Sequence, residues 1–280
     1  KLYKWTAEKI DISFPNLDIQ NKIVEFLDIL ENLDINLNNE LISRSKQFKF
    51  YLDFILDNEN IKKYFWLWEI NKINFFDVFD MIWWVTYLQK FEIWIWDKYN
   101  QEEVYKLLKS NNIWLNNTLN FEKVELVRKE FKQNLNDKVY LKKWDIFFNI
   151  RNWSLKHLWK VAYIDKDLDY FWWWNFVSTL RVKNIEKYNS KYLFYILQSD
   201  VFKKYIIEWC KQVTVNWIDK KLLKWFNFQL PSIDIQNKIV NILDTFNEYI
   251  NWLTNNKTWL SNLIKLNNKL LKFYSETLLK

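Results

Sequence analysis

The sequence predicts an α+β fold: a mixed α/β domain at residues 59–230, set between two long helices, 15–58 and 231–280, that pack as an antiparallel coiled coil. Three observations carry this reading. The segment Phe14-Pro15-Asn16-Leu17-Asp18-Ile19-Gln20-Asn21-Lys22-Ile23-Val24 recurs as Leu230-Pro231-Ser232-Ile233-Asp234-Ile235-Gln236-Asn237-Lys238-Ile239-Val240. Each copy opens a run of apolar residues spaced alternately four and three apart. Between the runs that spacing gives way to short strand-like stretches.

The first helix follows Pro15, a helix-start residue, with Asp18 placed for the positive end of the helix dipole. Its stripe is Ile23, Leu27, Leu30, Asp34, Leu37, Leu41, Arg44, Phe48, Tyr51 and Ile55. A 3.5-residue spacing held this long argues for a coiled-coil seam. Polar members such as Asp34 and Arg44 weaken the seam and help fix its register. In the middle domain, residues 145–151, 160–164 and 176–182 read as strands, and 101–109 and 191–208 as helices. The second helix repeats the first, from Ile239 and Leu243 through Phe246, Ile250 and Leu253 to Leu278. Neither helix hides its stripe alone, so the two are expected to pack together.

Composition narrows the classes. The 280 residues allow one or two domains, with 41 Lys+Arg against 34 Asp+Glu and a formal charge of +7. That balance permits an anionic partner without demanding one. One Cys and one His exclude a disulfide framework and a Cys-based zinc cluster. No apolar run is long enough to span a bilayer. The start at Lys1-Leu2-Tyr3-Lys4, without Met or an apolar signal core, reads as a cytoplasmic chain or an internal fragment.

The chain has 19 Trp and no Gly, where average usage of about 7% would give roughly 20 glycines. Two anomalies of equal size and opposite sign suggest that Trp occupies glycine positions. Asn152-Trp153 and Asn216-Trp217 would read as Asn-Gly turns. Lys143-Trp144-Asp145 stands where a turn is wanted, and Trp83-Trp84 and Trp172-Trp173-Trp174 read as glycine loops. A gene that uses UGA for glycine would produce this pattern. Trp66 is kept apart as a candidate genuine indole. The alternative is a genuinely Trp-rich chain.

Catalytic motifs are missing in either reading. The one restored Gly-Lys, Trp159-Lys160, lacks the rest of a phosphate-binding loop. No dinucleotide fingerprint and no Pro-Pro methyltransferase loop occur. His157 and Cys210 have no partners at catalytic spacing and read as a solvated loop residue and a small apolar one. Acidic residues fall mostly on helical surface positions. No enzyme, metal site or cofactor is expected.

Binding chemistry is present instead. Lys142 and Lys143 precede the first strand, and Arg151, Asn152, Ser154, Lys156, His157 and Lys160 fill the loop after it. A second polar loop holds Lys211, Gln212, Thr214 and Asn216, and a third holds Thr86, Gln89 and Lys90. Arg and Lys reach guanine edges or phosphates, and Asn pairs with adenine. Taken alone, these segments read equally well as solvated turns.

With Trp read as Gly, Trp144-Asp145-Ile146, Arg151-Asn152-Trp153-Ser154 and Trp159-Lys160-Val161-Ala162-Tyr163-Ile164 form an ordered set. Tyr192-Leu193…Gln198-Ser199 and Leu230-Pro231…Gln236-Asn237-Lys238-Ile239-Val240 continue it. In this order and spacing the chain resembles the specificity subunit of type I restriction–modification systems over nearly its whole length. The resemblance implies a target recognition domain at 59–230 and spacer helices on either side. It implies a non-catalytic reader of one part of a bipartite duplex DNA site. Its partners would be methyltransferase and restriction subunits, with no membrane role. Lys4-Trp5-Thr6 is similar to the end of a preceding recognition domain, so 1–14 is expected to close one. The chain then reads as a C-terminal fragment, or as a half-subunit that self-associates to regain two domains. Two other readings stay open: a coiled-coil adaptor without a DNA role, and the recognition part of a single-chain restriction–methylation enzyme.

Overall fold

The computed structural model describes residues 15–68, 70–83, 104–114, 117–122, 124–128, 140–155, 158–168, 171–173, 176–209 and 216–278. Two compact units result: one from the chain up to Phe50 together with Leu243 onward, the other from Tyr51 to Ile242.

The helical unit is built from α1 (Leu17–Leu56) and the last helix, α7 (Ile233–Leu278), both of which continue into the other unit. The repeated segment acts as a repeated helix start. Gln20 Nε2 donates to the Pro15 carbonyl at 2.7 Å, and Gln236 Nε2 donates to the Pro231 carbonyl at 2.8 Å. Asn16 caps α1, accepting the Ile19 N–H on its side-chain oxygen at 3.0 Å. Both prolines lie two residues ahead of the first helical residue. The stripe from Ile23 to Ile55 is the half-buried face of α1, with Leu30 buried; Leu243 and Leu253 are buried on α7. Arg44 lies over the Tyr249 ring at 5.6 Å, held there by Glu40 and Gln47 at 2.8 Å each. Arg44 and Tyr249 both fall within this unit.

In the mixed unit, α2 (Asn58–Phe65) starts on an Asp57 cap and stops at Trp66, whose φ is 55°. The Leu67 N–H closes back on the Lys62 carbonyl at 2.9 Å, as in a Schellman stop. β1 (Asn71–Asn74) pairs antiparallel with β11 (Asn227–Leu230), so one ribbon ties together the first and last strands of this unit. Between them lie α3 (Phe75–Val78), β2 (Phe79–Ile82), β3 (Val104–Leu108), β4 (Glu125–Arg128), β5 (Ile146–Asn149), β6 (Arg151–Asn152), β7 (Val161–Tyr163), β8 (Phe171–Trp173) and β9 (Val177–Val182). They are followed by α4 (Ser190–Gln198), α5 (Asp200–Trp209), β10 (Asn216–Trp217) and α6 (Lys220–Trp225).

The central sheet runs β2-β9-β5-β7, antiparallel throughout. All four residues of β5 are buried, because both of its faces are covered. Phe147 joins Leu108, Ile113, Leu141, Ala162, Ile164 and Val177 in one cluster. Its neighbour Phe148 points to the opposite face and meets Phe202 of α5 at 6.1 Å. From Phe202 an aromatic ladder continues through Phe226 and Phe228 to Phe75.

Four sequence expectations need correction, the first being that Asn216-Trp217, expected as a turn, forms strand β10. Residues 104–108, expected to be helical, form strand β3, which pairs antiparallel with β4 and parallel with β8. A short apolar run carries no decisive period, and pairing decides it. Trp172 and Trp173, expected in a loop, lie in β8. The expected helix 191–208 is two helices. Ser199 is extended at φ −67°, ψ 158°, and its hydroxyl donates to the Ile196 carbonyl at 2.7 Å. The Asp200 N–H is taken by Asp53 at 2.7 Å. The apolar face named from sequence (Leu193, Ile196, Leu197, Phe202, Ile206) is buried as expected.

Candidate nucleic-acid interface

Of the polar residues singled out from sequence, the seven that are described lie near the two ends of β5. Beyond its C-terminal end, β6 pairs antiparallel with β10, with Asn152 opposite Asn216 and Arg151 opposite Trp217. The Asn216 side-chain amide donates to the Asn152 and Trp153 carbonyls at 3.3 and 3.1 Å. The Ser154 N–H returns to the Asn152 side-chain oxygen at 3.0 Å, which closes an Asx turn. The Ile218 N–H bonds the Ile150 carbonyl at 2.9 Å and extends the ladder. Lys160 stands beside them, since its carbonyl takes the Asn149 N–H at 2.9 Å. Residues far apart in sequence, Arg151, Asn152, Ser154, Lys160 and Asn216, thus share one end of the sheet.

The Arg151 guanidinium lies 3.8 Å from the centroid of the Trp217 ring, a cation–π stack. Burial lowers the Arg151 pKa from its ordinary value, yet a guanidinium keeps its charge at neutral pH. Among the described residues, Asn112, Asn149 and Asn216 are the buried asparagines of this unit, and Asn216 owes its position to the ladder.

Lys142 and Lys143 are not part of this group. They lie on the turn before β5, roughly 20 Å away at about 3.3 Å of strand rise per residue. The Asp145 N–H bonds the Lys142 carbonyl at 3.0 Å, and Trp144, the third residue of the turn, has φ 76°. Asp145 is 1% exposed and is gripped by Arg181 through two parallel bonds, Nε to Oδ1 at 2.8 Å and Nη2 to Oδ2 at 2.7 Å. Arg181 Nη2 also donates to the Tyr140 carbonyl at 2.8 Å, and the Lys142 N–H to Asp145 at 2.8 Å. Burial nevertheless raises the Asp145 pKa above its ordinary value, because desolvation outweighs Arg181 and the Lys142 N–H. The clamp holds both lysines at the surface.

Thr86, Gln89, Lys90, Lys156, His157, Lys211, Gln212 and Thr214 lie outside the described residues, as does Cys210. Reading from sequence missed Lys220, Lys221 and Lys224, exposed on α6 just past Asn216 and Trp217. Their signal was the charge run after Asp219, which caps α6 by accepting the Leu222 N–H at 2.7 Å. Arg181 was missed as well; one basic residue in a strand gives no hint of its buried acidic partner. Beside this surface opens a cleft of about 660 Å³, lined by Tyr205, Asp219, Lys221 and the indoles of Trp209, Trp217 and Trp225. The Arg151 guanidinium, the Asn152 amide and the Ser154 hydroxyl, on a ladder braced by the buried Asn216, can bind phosphates and base edges together.

Among the described residues no group of His, Cys, Asp or Glu is placed to hold a metal, and no helix is long and apolar enough to cross a membrane.

Comparison with known proteins bears on the family and the fold. Residues 95–262 match the model of the type I restriction modification DNA specificity domain. Two curated Mycoplasma pneumoniae proteins described as type I specificity subunits are 40% identical over 57 residues and 44% identical over 55 residues, each 20% of this chain. Those segments cover only 16% and 20% of the relatives. Among solved structures, the S subunit from M. genitalium superposes with a TM-score of 0.53 at 16% identity, covering 95% of this chain and 60% of that one. The HsdS subunit from Thermoanaerobacter tengcongensis gives 0.54 at 12% identity, covering 91% and 58%. A chain from structural work on assembly and conformational transition of the type I R-M system gives 0.59 at 12% identity. At these identities the solved structures speak for the fold alone, and the chain spans about three fifths of their length. The matched domain takes in well over half of the sequence, including both ends of β5 and the Asn216 ladder, and on that ground the chain belongs to the type I restriction modification DNA specificity domain family.

Proposed function

We propose that this chain is a non-catalytic, sequence-reading part of a type I restriction–modification complex, active in the cytoplasm on duplex DNA. The observation that carries the proposal is the convergence of Arg151, Asn152, Ser154 and Asn216 on one ladder within the matched domain. In this reading the ladder reads base edges. Lys142, Lys143 and the lysines of α6 hold the phosphates, which positions the domain without specifying sequence. The domain at 59–230 reads one part of a bipartite site, and the paired helices set the distance to the other. A helix rises 1.5 Å per residue, so insertions would change that distance stepwise.

Arg151→Ala or Asn152→Ala is expected to weaken specific binding by about 1–3 kcal/mol with the fold retained. Titration of the cognate duplex and a scrambled one, over a salt series, checks this. Unchanged affinity and preference in both variants would remove the ladder from the reading surface. Loss of all salt dependence would favour the adaptor reading.

The proposal includes scaffolding of methyltransferase subunits, joined by the restriction subunit in the full complex. α1 carries Ile19, Phe26 and Leu33 exposed at seven-residue spacing beside the half-buried stripe. An apolar row of this kind suits a partner helix. Phe26→Glu is expected to weaken co-purification with the methyltransferase subunit of the same system while DNA binding by the isolated chain persists. A co-purification yield equal to that of the parent chain counts against this surface.

A further inference from the structure

We propose that the native polypeptide carries glycine at the positions where tryptophan stands here, the codon in question being decoded as glycine in the cell of origin. Composition raises the idea, and the backbone carries it further. Among the described residues only three that are not glycine have positive φ: Trp66 at 55°, Trp144 at 76° and Asn117 at 61°. Asn is the residue that tolerates this region best, whereas a bulky side chain there is an outlier. Each tryptophan also sits where turn chemistry asks for glycine. Trp66 is the left-handed stop of α2, followed by the bond from Leu67 back to Lys62. Trp144 is the third residue of the Lys142–Asp145 turn, the position that needs φ > 0 in a type II turn. Trp66, set apart on sequence as a candidate genuine indole, is thereby among the clearest glycine positions.

Exposure points the same way. Tryptophan is among the more buried residue types on average. Of the eleven tryptophans whose exposure is described, nine are exposed and none is buried. Trp66 is 89% exposed and Trp68 97%. The aromatic core is built instead from Phe and Tyr: Phe75, Phe147, Phe148, Phe202, Tyr192 and Tyr195. Genuine indoles would have competed for those sites.

The consequence reaches the DNA-reading surface, and this part rests on the function proposed above. Glycine at 217 releases the Arg151 guanidinium from its stack, and glycine at 153 and 144 bares the turns beside Asn152 and Lys143. A backbone without side chains lets DNA approach the amide N–H groups closely.

Peptide mass spectrometry of the full chain isolated from its native cells decides the matter. Glycine is expected at 66 and 144, and tryptophan at either position overturns the proposal. Two further measurements use the full chain expressed with Trp or with Gly. Trp66→Gly and Trp144→Gly are each expected to raise the melting midpoint by roughly 2–4 °C; a fall in both would contradict the assignment. Trp217→Gly is expected to tighten binding to the cognate duplex at least tenfold. If the peptides contain glycine and this affinity does not change, the decoding stands and the reading role of Arg151 falls.

Discussion

Arg181→Met is expected to destabilise the chain by about 3–5 kcal/mol, the loss typical of removing one partner from a buried ion pair. Asp145 would then keep a carboxyl 1% exposed with neither of its guanidinium bonds. The carboxyl's raised pKa fixes the sign of the pH dependence. A folded-state value above the unfolded one means the folded chain holds the proton more tightly. The group's stabilising contribution is therefore fully present below the ordinary aspartate pKa and is lost as pH rises through the folded value. Urea titration should show the deficit of Arg181→Met narrowing as pH falls toward that value. Asp145→Asn combined with Arg181→Met should cost less than the two single changes added together, because the sites share one set of bonds. Strict additivity, or a single-variant loss under 1 kcal/mol, would show that the clamp does not hold the Lys142–Lys143 turn.

Phe202→Ala is expected to cost about 3–5 kcal/mol, as for large-to-small changes of a fully enclosed ring. Phe202 has no exposure and touches rings on two sides, Phe148 of β5 at 6.1 Å and Phe226 at 5.0 Å. It therefore joins α5 to the central sheet and to Phe226, the residue just ahead of β11. The cavity would loosen α5, the helix that precedes β10 in the chain. DNA affinity should fall with stability in this variant, unlike Arg151→Ala, where affinity falls alone. A variant that melts early but binds normally would show that the ladder is positioned independently of α5.

Much of the fold was legible in the residues because it follows from local rules. The repeated Pro-to-Gln segment marked two helix starts, and both glutamines bond the proline carbonyl ahead of their helix. The four-three apolar stripe marked the face of α1 that is half-buried. The strands around residues 146–149, 161–163 and 177–182 stood out as β-branched and aromatic runs. Residues 104–108 did not, since five residues carry too little periodicity to tell strand from helix. The break at Ser199 was hidden too, because it depends on Asp53, far away in the chain, taking the Asp200 N–H.

For the candidate site, composition and order along the chain determined which residue types carry the chemistry: basic and amide side chains in loops between strands. Which of them meet was decided by tertiary structure. Pairing of β6 with β10 brought Asn216 to Arg151 and Asn152, while the length of β5 set Lys142 and Lys143 apart from them. The physical reason is that turn and cap preferences are written in neighbouring residues. A hydrogen-bonded ladder or a buried ion pair exists only once distant segments are packed together.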